Sequence, residues 1–340
     1  MKHLLTILIL STLFIPKDVD AQLFPNLGRQ RAGIASFGFL KTDINPRSVG
    51  MGGASIALGD DPYGLYSNVS SISLNDNPRF MASGYTYGLG LMQNYLGFVG
   101  KVKSNYVGLS INTLTSPAME VRTEFQPEGT GEYFYYMNMA NGLSVAKKLS
   151  DQFSFGIRIN HLYEQAAQYH NHSVGADLGF LYITDVRDLK FAVVVQNFGG
   201  KSQMDGDFIE NPFNRDSLQQ PDYYNLPTIF KLGLSIVAYE NNGHQILTAV
   251  QLNHPNDNAE NIRLGVEYSF RDLISARFGY KINLEGQQWP SFGVGYRSKI
   301  GYHPLHVNYA ANITSFIGTK HVFGIAIVFN KNRSQNEVVE

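Results

Sequence analysis

The sequence predicts an all-β protein, a transmembrane antiparallel β-barrel of about fourteen strands. Three observations carry that expectation. Segments of about ten residues with period-two alternation recur from Arg79 to Phe329. The N-terminus has the layout of an export signal, and no later apolar run reaches the length of a spanning helix. Charged residues make up 16% of the chain against 13% aromatics and 33 glycines, a surface suited to surroundings less polar than water.

The N-terminal signal comes first. Met1-Lys2-His3 is a short basic start, Leu4–Ile15 an apolar run of 12 residues, and Val19-Asp20-Ala21 places small residues where a signal peptidase reads them. Residues 1–21 are expected to be removed, leaving Gln22 as the mature start. A spanning helix needs about 20 apolar residues, so this run is too short to be one. If the mature chain crosses a membrane it does so as a closed barrel, because open strands in lipid leave backbone groups unpaired.

The strands follow. Val174, Ala176, Leu178, Phe180 and Tyr182 share one face, opposed by Ser173, Gly175, Asp177 and Gly179. Ile262, Leu264, Val266, Tyr268 and Phe270 repeat the pattern against Arg263, Gly265, Glu267 and Ser269. Phe278 and Tyr280 oppose Arg277, Gly279 and Lys281. A soluble sandwich also alternates, with its apolar face inward. Segment length near the 9–11 residues of a tilted spanning strand, and a polar face of glycine with few charges, favour the membrane barrel. On this reading Arg263, Glu267, Arg277 and Lys281 are lumenal, either pairing across strands or lining a polar passage. The candidates are 79–90, 93–103, 104–115, 134–149, 151–165, 170–184, 188–198, 227–240, 243–253, 260–270, 272–283, 288–300, 302–313 and 318–329, with a polar tail over 330–340. Short turns such as Asn242-Gly243 alternate with long Pro- and Gly-bearing loops at 116–133 and 199–226, as in outer-membrane barrels.

Ahead of the strands lies Arg47-Ser48-Val49-Gly50-Met51-Gly52-Gly53-Ala54, running through Asp60-Asp61 to Asn68. This stretch, with Phe37-Gly38-Phe39, Leu226-Pro227-Thr228 and Arg277-Phe278-Gly279-Tyr280-Lys281, resembles the PorV/PorQ family of outer-membrane proteins, relatives of FadL-type transporters. Arg47, Gly50, Met51, Gly52, Gly53, Asp60, Asp61 and Asn68 carry the match. The family's Asn-Pro-Ala turn reads Asn68-Val69-Ser70 here, and a late Asp-Tyr-Ala reads Asn308-Tyr309-Ala310. The resemblance implies that residues 22–78 form a hatch inside a barrel spanning 79–329. It further implies a role in the type IX secretion system, with the translocon or the C-terminal signal domains of cargo as partners. Glycine, which permits close backbone approach, suits such a hatch.

Other chemistries are disfavoured. Gly50-Met51-Gly52-Gly53 lacks the spacing of a nucleotide-binding loop. Asp60-Asp61-Pro62 reads as the cap of a short helix rather than a carboxylate pair. His170 with His172, and His303 with His306, have no third ligand at metal spacing, and His254-Pro255-Asn256-Asp257-Asn258 reads as a polar turn rather than a calcium loop. There is no cysteine and no Gly-x-Ser-x-Gly elbow. A net charge of −1, from 27 basic and 28 acidic residues, gives no footprint for nucleic acid. The expectation is a non-enzymatic barrel in the outer membrane, without cofactor or metal, in contact with lipid. Its first reading is secretion accessory. A second is a FadL-like transporter of small hydrophobic molecules, which predicts an apolar pocket against the hatch and a lateral opening in the wall. A purely structural barrel is a third.

Overall fold

The structure, a computed structural model, describes residues 33–330 apart from positions 60, 89, 207–221, 288 and 317. The expected signal peptide, the first part of the hatch segment and the tail beyond 330 lie outside the described residues. The strands are β1 (Arg79–Thr86), β2 (Met92–Val102), β3 (Asn105–Thr115), β4 (Met119–Glu120), β5 (Tyr133–Phe134) and β6 (Tyr136–Lys148). Then come β7 (Phe153–Ala166), β8 (Tyr169–Ile183), β9 (Lys190–Gly199), β10 (Lys201–Ser202), β11 (Tyr224–Asn225) and β12 (Ile229–Asn241). The last are β13 (His244–Pro255), β14 (Asn261–Phe270), β15 (Ile274–Ile282), β16 (Ser291–Ile300), β17 (His303–Thr314) and β18 (Gly318–Val328).

Fourteen of these form one closed antiparallel barrel in the order β1-β18-β17-β16-β15-β14-β13-β12-β9-β8-β7-β6-β3-β2, so β1 and β18 make the closing seam. Each barrel strand falls on one of the expected segments. The short pairs β4–β5 and β10–β11 lie outside the wall, within the two long loops. The antiparallel order follows from hairpin connections between neighbours, and closure leaves no unpaired edge to face lipid.

The alternation resolves into an outside and an inside. Leu109 and Ile111 are 56% and 46% exposed, while Ser110 between them is 8% exposed and faces the lumen. Val266, Phe278, Phe292 and Phe323 face outward in the same way. The apolar band therefore lies outside, the reverse of a soluble sandwich, and matches a lipid-facing surface. One end of the barrel has tight turns, including Asn242-Gly243 with φ of 49° and 80°, the two left-handed residues of a type I′ hairpin. The other end carries the longer loops and is the outer end in the usual arrangement of such barrels.

The hatch fills the lumen. It enters at the loop end, where Ser36 N donates to Asn225 O at 3.0 Å and the Ser36 and Ser202 hydroxyls lie 3.0 Å apart. Phe37 and Phe39 pack there with Ala140, Leu162 and Leu226. A short helix, Pro46–Gly50, then lies along β15–β18. Ile56 and Ala57 continue against Leu181, Ala192 and Val194 of β8 and β9. A last turn, Gly64–Ser67, and a 3-10 helix, Val69–Leu74, pack under β3, β6, β7 and β8 before β1 begins.

Candidate functional site: the hatch clamp and the outer vestibule

The hatch is seated by glycines on both partners. Gly52 and Gly53 have φ of +67° and +87°, which side chains adopt only under strain. A Cβ on Gly50 would come within 3.0 Å of the Gly293 Cα, and one on Gly265 within 2.7 Å of the Met51 carbonyl. A Cβ on Gly279 would overlap the Met51–Gly52 backbone. Gly265 and Gly279 are paired in register on β14 and β15, and Gly293 follows on β16 beside Arg277, so a bare track crosses three strands where the helix lies. Met51 fills the space between, fully buried with Ala54, Leu58, Leu247 and Ala249.

A buried ionic clamp then fixes the hatch to that wall. Arg47 donates through Nε and Nη2 to the two oxygens of Glu267 at 2.8 and 2.5 Å. Arg277 donates its Nε to the same carboxylate at 2.5 Å and its Nη1 to Asn308 Oδ1 at 2.8 Å. All three charged groups are almost fully buried. Two guanidiniums share the one carboxylate, and Arg277 places a further bond on the neutral Asn308. The family resemblance has an Asp where Asn308 stands. A second clamp lies opposite, where Arg158 donates to Asp177 at 2.7 Å and to the hatch carbonyl of Leu65 at 2.8 Å. Asp177 sits at a register shift between Ala176 and Leu178 and also accepts from Asn197 N at 2.6 Å.

Within the hatch the helix start is at Asn45-Pro46, where Asn45 Oδ1 accepts from Arg47 N at 3.0 Å and Pro46 occupies the first turn. Asp61 was expected to cap a short helix at Pro62; it caps the turn at Pro62 that leads into the helix Gly64–Ser67, its carbonyl accepting from Gly64 N at 3.0 Å. Its side chain closes the turn onto Tyr63 N at 3.0 Å and accepts from the Asn45 amide. Asp60 lies outside the described residues. Asn68 caps the 3-10 helix, accepting from Ser70 N at 3.1 Å and donating to Ile56 O at 2.9 Å.

The four wall residues singled out from sequence thus divide into two groups. Glu267 and Arg277 belong to the clamp. Arg263 and Lys281, paired beyond Gly265 and Gly279 on the side nearer the loops, line a cavity of about 280 Å³ that lies above the hatch at the loop end. Hatch residues Lys41, Thr42 and Asp43 form one side of it, with Asn312 and Lys320 on the other. Lys41 is held by Asp257 at 2.7 Å, so the His254–Asn258 turn ties down the hatch arm rather than gathering oxygens around a cation. Val49, Tyr85, Ile229 and Phe316 give the cavity an apolar flank. Sequence periodicity could place Arg263 and Lys281 inward, but not the hatch residues that face them.

His170 and His172 lie together on the wall, ring centroids 5.9 Å apart, while the other histidines are spread around the barrel. His172 lies among His161 and Tyr163 on the outer wall, His254 bonds Glu260 at 2.7 Å, and His303 packs on Phe329. Among the described residues no group of three metal-ligating side chains converges. No described helix is long and apolar enough to cross a membrane.

No known family profile matches the chain, and no curated protein does either. Solved structures do. A FadL homologue of Pseudomonas aeruginosa aligns at 12% identity with a TM-score of 0.53, covering 85% of this chain and 98% of its own. The toluene transporter TbuX of Ralstonia pickettii aligns at 11% identity and 0.52, covering 84% and 97%. The Pseudomonas putida toluene transporter TodX aligns at 11% and 0.51, covering 84% and 96%. At such identities the likeness is one of fold, and the fold is that of the FadL-like outer-membrane barrels.

Proposed function

We propose that this protein is a non-enzymatic outer-membrane barrel that passes a small solute from its loop end, with the hatch as the gate. The observation that carries the reading is the arrangement along the barrel axis: a cavity at the outer mouth, bounded below by a hatch that is held by discrete clamps. The FadL-like fold, shared with structures described as toluene transporters, supports it. The cavity's mixed lining suits a polar or amphiphilic solute better than a hydrocarbon.

The test uses the absence of native cysteine. Ser36→Cys with Ser202→Cys puts a disulfide where two hydroxyls now lie 3.0 Å apart, tying the hatch arm to the outer loop. In liposome-swelling assays the oxidised pair should lose solute flux and regain it on reduction. Undiminished flux through a fully cross-linked barrel would sink the gate.

A second reading is accessory service in type IX secretion, by contact of the outer loops with the translocon or with cargo signal domains. What favours it is that the residues of the PorV/PorQ resemblance, Arg47, Gly50, Met51, Gly52, Gly53 and Asn68, are those that seat the hatch. A deletion strain that secretes and anchors all of its signal-bearing cargo would exclude it.

A further inference from the structure

We infer that the outer cavity is a binding site for a small hydroxylated organic anion, such as a sugar acid. The inference rests on the solute-passage reading and names the class of solute. Three cations face the cavity: Arg263, Lys281 and Lys320. Among the described residues none of them makes a close ion pair. Arg263 donates to the neutral Asn261 side chain at 3.1 Å, and Lys320 lies over the Tyr87 ring at 5.4 Å. Lys281 has neither a hydrogen-bond nor an ion-pair partner among the described residues. Lys41, a fourth cation at the rim, is already neutralised by Asp257.

Two carboxylates offset this charge only in part. Asp43 faces the cavity as a counter-charge to Arg263 and Lys281, its oxygens also accepting from Asn45 N at 3.1 Å and from the Ser48 hydroxyl. Glu285 is exposed on the loop. Three half-buried cations facing one hatch carboxylate leave an excess of positive charge in surroundings of low dielectric, and an entering anion relieves that cost. Asn312 adds a second requirement. It is 5% exposed and its amide oxygen has no partner among the described residues, so it calls for a donor such as a ligand hydroxyl. Tyr85 and Phe316 supply the apolar flank against which the C–H face of a sugar packs. A volume of about 280 Å³ is near the lower end of small-molecule sites and admits no long alkyl chain.

The experiment titrates the purified full-length barrel with sodium gluconate and with glucitol, which has the same carbon skeleton and no charge. Calorimetry reads the affinity, and the fluorescence of Trp289, the sole tryptophan, reads the rim, since its carbonyl accepts from the cavity residue Gln287. Gluconate should bind at least about tenfold more tightly than glucitol. Lys281→Met should weaken gluconate by about tenfold or more, while Lys299→Met, at the turn end, should leave it unchanged. Lys320→Met gives a second reading if Lys281→Met does not reach the folded barrel. Equal affinity for the two solutes, no binding of gluconate, or wild-type affinity in the folded lysine variants overturns the inference. Gluconate binding without flux would defeat the passage reading and leave the site standing. Flux that ignores charge would do the opposite.

Discussion

Arg47 of the hatch and Glu267 of the wall, 220 positions apart, form a bidentate ion pair at 2.5 and 2.8 Å inside the barrel. Removing one member of a buried ionic cluster strands its partners, and here two buried guanidiniums would lose the carboxylate they share. Glu267→Ala should therefore cost about 3–5 kcal/mol. The check is the midpoint of urea unfolding in detergent, followed by the gel-mobility shift of the folded barrel. An unchanged midpoint would show that the clamp is ornamental.

The glycine track makes a separate prediction. Gly279→Ala places a Cβ in the hatch backbone, so either the wall or the hatch must move. Overpacking of this kind costs about 1–3 kcal/mol. Limited proteolysis from the loop side should then cut within 46–54, which the wild-type barrel protects. Gly200→Ala, where nothing lies within 4 Å, is the control and should be silent.

Val69 tests the departure from the family pattern. It occupies the first position after the Asn68 cap of a 3-10 helix, where a proline is well suited. Val69→Pro, which restores the Asn-Pro sequence, should change stability by no more than about 1 kcal/mol. Asn68→Ala removes both the cap and the bond to Ile56 O and should cost about 1–2 kcal/mol. Thermal unfolding followed by circular dichroism distinguishes the two, and a proline variant worse than the alanine one would contradict the cap geometry.

The lipid face is tested at Leu109, which points outward near the middle of β3. Leu109→Arg should disfavour folding into liposomes by about 2–4 kcal/mol. A chain whose outer face met water would accept the arginine without loss.

The wall was legible in the sequence because period-two alternation is a local property, visible within ten residues of any point. All fourteen barrel strands fall within a few residues of the expected segments for that reason. The hatch contacts were not legible. Arg47 and Glu267 carry no mark that they meet, because a register between distant segments is fixed only once the barrel closes. The same limit hid the division between Glu267 with Arg277, in the clamp, and Arg263 with Lys281, in the vestibule. All four share one face, and what separates them is height along the barrel against the hatch. The Asp61-Pro62 turn was legible, but not the bond from the Asn45 amide to Asp61, which joins two helix starts that only packing brings together.

Tyr63, fully buried, has its hydroxyl 2.6 Å from Ala82 O on β1 and 3.1 Å from Ile325 O on β18, two residues that face each other across the closing seam. Those carbonyls come together only when the first and last strands have paired. The hatch thus completes its seating at the place where the cylinder is joined, and it does so after the final strand is in register. A barrel arrested before that step would hold its N-terminal segment loose, so the state of the plug reports whether assembly has finished.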